Sequence, residues 1–546
     1  MSFHDQVIYQ VYPKSFYDSD GDGLGDLRGI IEKIPYIASL GVDMVWFNPF
    51  FVSPQRDNGY DVADYYAINP DLGSMDDTQE LIATLKKHGM GVMFDMVFNH
   101  VSTEHEWFQR ALAGEKKYQD FFYIRDLKAD GSLPTNWESK FGGNAWAPFG
   151  DSGKYFLCLY DKTQADLNWH NPQVREELYK VANFWLDQGI RGLRFDVLNV
   201  IGKAELLENA TPGMAAKYLY TDTPRVHTWV HEMNRQTFGR VDGTVTVGEM
   251  SSTTIENSIK YSNPEREELD MVFNFHHLKV DYKDGEKWTQ MPFDFPVLKN
   301  LLNDWALGMQ AGGGWNALFW NNHDQPRALS RFGDPENFHF ESATMLATVI
   351  HLLRGTPYIF QGEEIGMVDP AYIDIEEYVD VEARNAYVSL IAEGKSETEA
   401  FAIVHSKARD NSRAPMQWDS NENAGFTTGE PWLRPTTFEH INVAQEQKNG
   451  TILPYYKKLI ELRKKHAVVS EGEYAPYELE HPAVYAYTRE YLNDKLLVIN
   501  NFYGQETAIA IPSEFVDGEI FISNYATPQL SETYTLRPYE SLAIKI

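Results

Sequence analysis

Eight short, nearly uninterrupted apolar runs punctuate the chain, each followed by a polar stretch compatible with a helix. They are VIYQVY (7–12), DMVWFNP (43–49), GVMFDMV (91–97), GLRFDV (192–197), VTVGEM (245–250), MVFNF (271–275), ALFWNNHD (317–324) and TPYIFQGEE (356–364). Runs without alternation predict strands covered on both faces, as in a parallel sheet. Helix-compatible intervals follow at 31–40, 78–89 and 174–188. Eight such units predict an α/β fold, a (β/α)8 TIM barrel.

The rhythm breaks once. About 95 residues rich in Gly, Trp, Asn and Pro separate the third run from the fourth, including TNWESKFGGNAWAPFG. That is too long for a loop and predicts an inserted subdomain after strand 3. Beyond residue 475 the pattern becomes short alternating segments (AVYAYTREY, KLLVINNFY, EIFISNY, ESLAIKI), which predict a C-terminal antiparallel β-domain. The expected divisions are 1–99 and 171–474 for the two parts of the barrel, 100–170 for the insertion and 475–546 for the β-domain.

Composition narrows the partners more than the chemistry. Of 546 residues 43% are apolar and 23% charged, an ordinary globular balance, but aromatics reach 14%. Flat rings suit sugars, although large cores use them too. A net charge of −31 repels phosphate backbones and anionic membrane surfaces, so neither nucleic acid nor membrane is an expected partner. The single cysteine, Cys158, excludes an intramolecular disulfide and a Cys-based zinc site. MSFHDQVIYQVYPKSF lacks the basic-then-apolar order of a secretory signal, and no run of 18 apolar residues occurs. A soluble cytoplasmic protein, monomeric or weakly dimeric, is expected.

Polar residues close most of the apolar runs: Asp95, Asn99 and His100; Arg194 and Asp196; Glu249; Asn322, His323 and Asp324. In a (β/α)8 barrel all C-terminal strand ends open on one face, where active sites are built. A lone carboxylate there is ordinarily a helix cap or an ion-pair partner; four runs ending this way point to a site.

This constellation resembles the α-amylase superfamily of glycoside hydrolases. The carrying motifs are DMVFNH (95–100), QADLN (164–168), GLRFDVLN (192–199), VGEM (247–250) and NNHDQ (321–325). The resemblance implies Asp196 as nucleophile, Glu249 as general acid/base and Asp324 as a third carboxylate gripping sugar hydroxyls. Retaining hydrolysis needs such a carboxylate pair, through a covalent glycosyl-enzyme. Arg194 would keep Asp196 ionised, and burial beside like charges would keep Glu249 protonated. His100, His323 and Gln164 would contact the glucose. Within the superfamily the chain is similar to the oligo-1,6-glucosidase branch: DNGY (57–60) supplies Asp57 and Tyr60, and Arg409 in KARDNSR pairs with Asp57 to block the far end of the pocket. DNGY is also a turn signal, and a turn can present a ligand.

DSDGDGLGD (18–26) sets Asp18, Asp20, Asp22 and Asp26 at alternating positions around glycines, with Leu24 offering its carbonyl. Hard oxygens at this spacing resemble the start of an EF-hand loop without its helices or terminal Glu. The branch implies one structural Ca²⁺ here and no cofactor for catalysis. Lys203 stands where the branch has a lysine instead of the calcium of true α-amylases, so no second ion is expected.

One segment bears on the substrate. FNFHHLKVDYKDGEKW (273–288) brings His276, His277, Lys279, Lys283 and Lys287 to the catalytic face of an otherwise acidic chain. A neutral disaccharide has no need of such cations; a phosphate does. With TDTPRVHTWVHEMN (221–234), VGEMSSTT, GGGWNALFW and Ala165 in place of the Pro usual in isomaltases, the chain looks like the trehalose-6-phosphate hydrolases of the branch. That implies cleavage of trehalose 6-phosphate to glucose and glucose 6-phosphate in trehalose catabolism, with phosphate facing Lys279 and Lys287 and then His276 and His277. The alternatives are an oligo-1,6-glucosidase, which Val197 after the nucleophile favours, and a non-catalytic sugar-binding member, which the intact carboxylate set disfavours.

Overall fold

The computed structural model describes residues 2–526 and 528–546. Eight parallel strands, β1 (Ile8–Val11), β2 (Met44–Phe47), β3 (Gly91–Met96), β4 (Gly192–Phe195), β5 (Val245–Glu249), β6 (Met271–Phe273), β7 (Ala317–Leu318) and β8 (Thr356–Phe360), share one sheet. Its order is β6-β5-β4-β3-β2-β1-β8-β7. A parallel bridge from Val272 to Asn316 joins the two ends and closes the barrel. Each strand falls inside one predicted run. All residues of β1, β2, β4 and β8 are buried, which is why those runs do not alternate. The strands approach closely: a Cβ on Gly192 would sit 2.5 Å from the Cβ of Met93. The seventh run contributes only two residues to the sheet, because FWNNHD leaves it to line the site.

The helices Leu27–Leu40, Met75–Lys87 and Pro172–Asp187 start earlier than their apolar spacing suggests. Capping side chains set those starts. Asp26 accepts from Gly29 N–H, Ser74 forms a capping box with Asp77, and Asn171 precedes a proline at the first turn.

The insertion carries a strand pair, His100–Ser102 with Gln164–Asp166, and a three-stranded antiparallel sheet of Ile124–Asp126, Lys154–Leu157 and Trp146–Pro148. Its core of Tyr123, Trp137, Trp146, Leu157 and Leu159 extends onto Val197, Val200 and Tyr220 after β4. At the other end β9 (Glu473–Tyr477), β10 (Val484–Tyr491), β11 (Asp494–Asn501), β12 (Glu519–Ser523) and β13 (Ser541–Lys545) form an antiparallel sheet ordered β9-β10-β11-β13-β12. The predicted segments correspond to β10 to β13. Strand β9 and the pair Thr507–Ala510/Thr533–Leu536 bury few side chains each, so their apolar signal is weak.

After β8 the chain makes an excursion with its own small core of Tyr372, Tyr378, Ala383, Leu390, Ile403 and Val404, around helices Val381–Ala392 and Glu397–His405. Small alanine-rich faces read like any surface helix in the sequence, so the apolar pattern does not announce this unit. Much of the aromatic surplus is structural: Trp46, Trp137, Trp169, Trp185 and Trp320 are fully buried. Among the described residues no helix is long and apolar enough to cross a membrane.

Candidate active site

The C-terminal ends of β3, β4 and β5 meet on one guanidinium. Arg194, fully buried in β4, donates from Nη1 to Asp95 Oδ1 and to Asp196 Oδ1, both at 2.7 Å, while its Nη2 contacts Glu249. Alternation along β4 puts Arg194 and Asp196 on the same side, which explains the double grip. Glu249 is expected beside like charges; the structure also sets the Arg194 guanidinium against it. Asp95 also accepts from Tyr60 Oη at 2.9 Å and Trp46 Nε1 at 3.2 Å. Burial pushes Asp95 up to about 7 against the pull of Arg194, with Asp196 adding to the rise.

Asp196 sits at a strained turn. Its N–H reaches Met96 O at 3.1 Å, and Val197 follows with φ 39° and ψ 40°, a left-handed conformation unfavourable for a β-branched side chain. The core of the insertion packs on Val197 and holds it there.

Asp324, beyond β7, is gripped by Arg413 Nη2 at 2.6 Å, with Arg409 Nη1 at 3.5 Å and His323 Nε2 at 3.4 Å. Burial opposes its ionisation, but His323, Arg409 and Arg413 outweigh it and hold the carboxyl well below the usual range. His323 Nδ1 accepts from Gln10 Nε2 at 3.0 Å, which leaves Nε2–H towards Asp324. Its ring stacks on Tyr60 at 5.3 Å, and burial pushes it down to about 3, so it is neutral.

The turn DNGY forms the wall. Asp57 accepts from Gln164 Nε2 at 3.0 Å, and Gln164 also donates to Tyr60 O at 3.1 Å. Both ring nitrogens of His100 have protein partners, Tyr60 O at 3.1 Å and Asn99 Nδ2 at 3.1 Å, so donation to a sugar would replace the first. Arg409 does reach Asp57, at 3.5 Å, but its principal partner is Asp380, at 2.5 Å and 3.2 Å. Burial pushes Asp57 up to about 7 despite Arg409 and Arg413. Sequence reasoning misses Asp380 and Arg413. Arg413 closes the quoted KARDNSR motif, whereas nothing near Asp380 marks it out. Lys203 is buried with its ammonium on Asn99 Oδ1 at 2.7 Å, Val200 O at 2.8 Å and Asp166 Oδ1 at 2.9 Å.

The cations after β6 divide. Lys287 donates to both oxygens of Glu382 at 2.8 Å. His277 is buried with Nε2 on Phe319 O, and burial pushes it down to about 4; His276 Nε2 is on Thr253 O. These three are expected from the sequence to face phosphate, and the structure commits each to another partner. Lys279 is exposed and makes no ion pair among the described residues. Burial of its stem and the charge of Lys217 lower its pKa, and Lys217 and Lys279 together lower Lys140 to about 8 after burial. Lys140 belongs to the insertion and Lys217 to the loop after β4. Lysines from three elements thus lie within electrostatic reach of one another, and a linear motif cannot show that.

In the acidic loop, carboxylate oxygens of Asp18, Asp20 and Asp22 lie within 4.8 Å of one another. Asp26 stands apart from this trio: it caps Leu27–Leu40 and accepts from Ser19 N at 2.7 Å and Oγ at 2.8 Å. Leu24 is seen only as a donor, from its N–H to Asp22 Oδ1 at 2.8 Å.

A buried arginine shared by three barrel-end carboxylates, with a fourth carboxylate beyond β7, fits a glycoside hydrolase of the alpha-amylase family, and the chain belongs to that family. The family's catalytic domain (Alpha amylase, catalytic domain) matches residues 10–472, and the alpha-amylase SusG C-terminal domain matches 484–542. The chain is 49% identical over 547 residues to a trehalose-6-phosphate hydrolase of Bacillus subtilis, covering 99% of this chain and 97% of the relative. It is 43% identical over 555 residues to an oligo-1,6-glucosidase of Parageobacillus thermoglucosidasius, covering 99% and 98%. The crystal structure of Bacillus licheniformis trehalose-6-phosphate hydrolase superposes with a TM-score of 0.95 at 49% identity, covering 100% of this chain and 99% of that one.

Proposed function

We infer that the chain hydrolyses trehalose 6-phosphate to glucose and glucose 6-phosphate with retention at the anomeric carbon. What supports the substrate is exposed Lys279 after β6, with Lys217 and Lys140 close enough for their charges to act on one another, and Lys140 next in sequence to Phe141, whose ring lies 5.2 Å from the guanidinium of Arg409. The unphosphorylated glucose fills the pocket, and the phosphate faces these lysines. Asp196 attacks the anomeric carbon as the bond to the bridging oxygen breaks, and Glu249 gives that oxygen its proton. Water then attacks the same carbon, Glu249 takes a proton from it, and Asp196 leaves. Asp324, kept ionised by Arg413 and Arg409, holds hydroxyls of the distorted ring.

The acidic loop fits one divalent ion. Burial, then the neighbouring Asp20, Asp18 and Asp26, raise the pKa of Asp22, a crowding of like charge that a cation relieves. Asp18, Asp20 and Asp22 are the side chains that would hold Ca²⁺ in a structural role, away from the chemistry. The reaction is that of a small-molecule sugar catabolic enzyme, and a cytoplasmic location accords with a phosphorylated substrate.

Rates on trehalose 6-phosphate, trehalose and isomaltose under one set of conditions test the reading. The phosphorylated sugar should be preferred, and Lys279→Ala should raise its KM by roughly tenfold or more, the worth of one charge-assisted contact. A wild type that prefers isomaltose would establish the oligo-1,6-glucosidase reading instead.

A further inference from the structure

Beyond the ends of β4 and β5 a side chain joins the turns that follow Asp196 and Glu249. The ladder between these strands has its last register pair at Phe195 and Gly248, each one residue before its carboxylate. Three residues past Asp196, Asn199 lies in the short helical turn Leu198–Val200 and is fully buried. Its Oδ1 accepts from Ser251 N–H at 3.0 Å, and its Nδ2 donates to Ser251 O at 2.8 Å. Ser251 is two residues past Glu249. One side-chain amide thus takes both backbone groups of a residue in the neighbouring turn, as the opposite residue of an antiparallel pair does.

Asp222, in the loop after β4, fixes which way that amide faces. Its Oδ1 accepts from Asn199 Nδ2 at 3.1 Å and from Tyr261 Oη at 2.9 Å, while its N–H donates to Asn199 O at 2.9 Å. An ionised carboxylate only accepts, so Nδ2 faces it and Oδ1 is left for Ser251 N–H. Tyr261 is fully buried on helix Ile255–Ser262, which follows β5. The nucleophile's turn has further anchors, Asp196 N–H on Met96 O and the core of the insertion on Val197. On the other turn Met250 N–H reaches Phe273 O at 3.1 Å, and Ser252 lies in the left-handed region with φ 53°. The Asn199 amide bonds the residue between these two.

We propose that Asn199 is a positioning residue for the general acid/base: its amide, oriented by Asp222, ties the turn of Glu249 to that of Asp196 and so sets the separation of the two carboxyl groups. This rests on the roles given to Asp196 and Glu249. Retaining hydrolysis works at a separation of about 5–5.5 Å, so a small drift of one turn is costly. Arg194 grips the carboxylates themselves, whereas Asn199 holds the backbone just beyond Glu249. Because the nucleophile has its own anchors, loss of the tie displaces the proton donor and spares the attack.

The test uses the full chain and two neutral substrates that share one glucose, phenyl and p-nitrophenyl α-glucoside. The nitrophenolate leaves with little help from an acid, whereas phenolate needs the proton. Asn199→Asp keeps the acceptor for Ser251 N–H, loses the donor, and sets a second carboxylate oxygen against Asp222 and Ser251 O. It should lower kcat/KM on phenyl α-glucoside roughly a hundredfold, and on p-nitrophenyl α-glucoside less than about fivefold. Release of the glucosyl-enzyme needs the same group as a base, so kcat on the nitrophenyl substrate should fall and recover with azide. Azide attacks the anomeric carbon without a proton to lose as Asp196 leaves, and glucosyl azide is the product. Asp222→Ala, which leaves both bonds to Ser251 without their orienting partner, should show the same pattern at about tenfold. It decides the outcome if circular dichroism shows Asn199→Asp unfolded. Equal losses on the two aryl glucosides, as a merely structural role gives, no loss on either, or no response to azide overturns the proposal. Glu249→Ala is the control on the roles themselves: if it lacks the leaving-group and azide pattern, the assignment of Glu249 fails instead.

Discussion

Lys203→Met is the most informative single change away from the chemistry. The ammonium of Lys203 and the carboxylate of Asp166 are both fully buried and 2.9 Å apart. At an effective dielectric of about 20 a pair at that separation attracts by roughly 6 kcal/mol, offset by the cost of dehydrating both ions. The variant removes the attraction and one dehydration cost, but leaves Asp166 charged in the interior. Asp166 keeps two donors, Leu159 N–H at 2.7 Å and Asn99 Nδ2 at 3.0 Å, which soften the loss without cancelling the charge. Breaking one side of a buried pair costs about 3–5 kcal/mol, a large part of a typical folding free energy of about 5–15 kcal/mol. Denaturant unfolding followed by tryptophan fluorescence should show a loss of that size. The lost ammonium also frees three oxygens, on Asn99, Val200 and Asp166, suited to a hard cation. Millimolar Ca²⁺ should then return part of the stability to the variant after the wild type is saturated. A variant as stable as the wild type would refute the reasoning, because it would mean that Asp166 is solvated or neutral without its partner.

Three further outcomes follow from the geometry. Asp196→Asn should lower turnover by several orders of magnitude in a folded chain, and substantial activity in the purified variant would remove Asp196 from the nucleophile's role. Chelation should lower the melting temperature of the wild type and Ca²⁺ restore it, whereas Asp20→Ala/Asp22→Ala should ignore both; a wild type blind to chelator argues against the loop. Burial, aided by Arg463, pushes His351 down to about 3 in the fold, while the unfolded ring titrates near 6.5. Its neutral form therefore stabilises the fold above pH 6.5, and that contribution is lost as pH falls towards 3. The stability difference between wild type and His351→Gln should shrink from pH 7 to pH 4, and a constant difference contradicts this.

Barrel strands are legible because burial on both faces removes alternation, and eight repeats of that signal leave little else to build. Asp196, Glu249 and Asp324 are legible because several strand ends carry polar residues together, where any one alone would read as a cap or an ion-pair partner. What escapes lies where distant segments meet. Lys140, Lys217 and Lys279 come from three loops, and Asp380 takes Arg409 because a helix start after β8 happens to point at it. Lys287 illustrates the same limit from the other side: its charge is visible in GEKW, but its partner, 95 residues later, is not.

Val197 gives the insertion a second meaning. A β-branched residue in the left-handed region costs of order 1–3 kcal/mol, and such a conformation persists only where surrounding packing overdetermines it. The overdetermining wall is the core of Trp137, Trp146 and their neighbours, contributed by a unit outside the barrel. The turn that aims Asp196 is therefore held under load by the packing of the insertion. Selection for thermal robustness alone would favour a glycine at 197, which relaxes the turn, and would favour trimming the insertion, which releases it. Either route yields a sturdier barrel with a loosely aimed carboxylate. Holding Val197 in this conformation trades stability for the aim of Asp196.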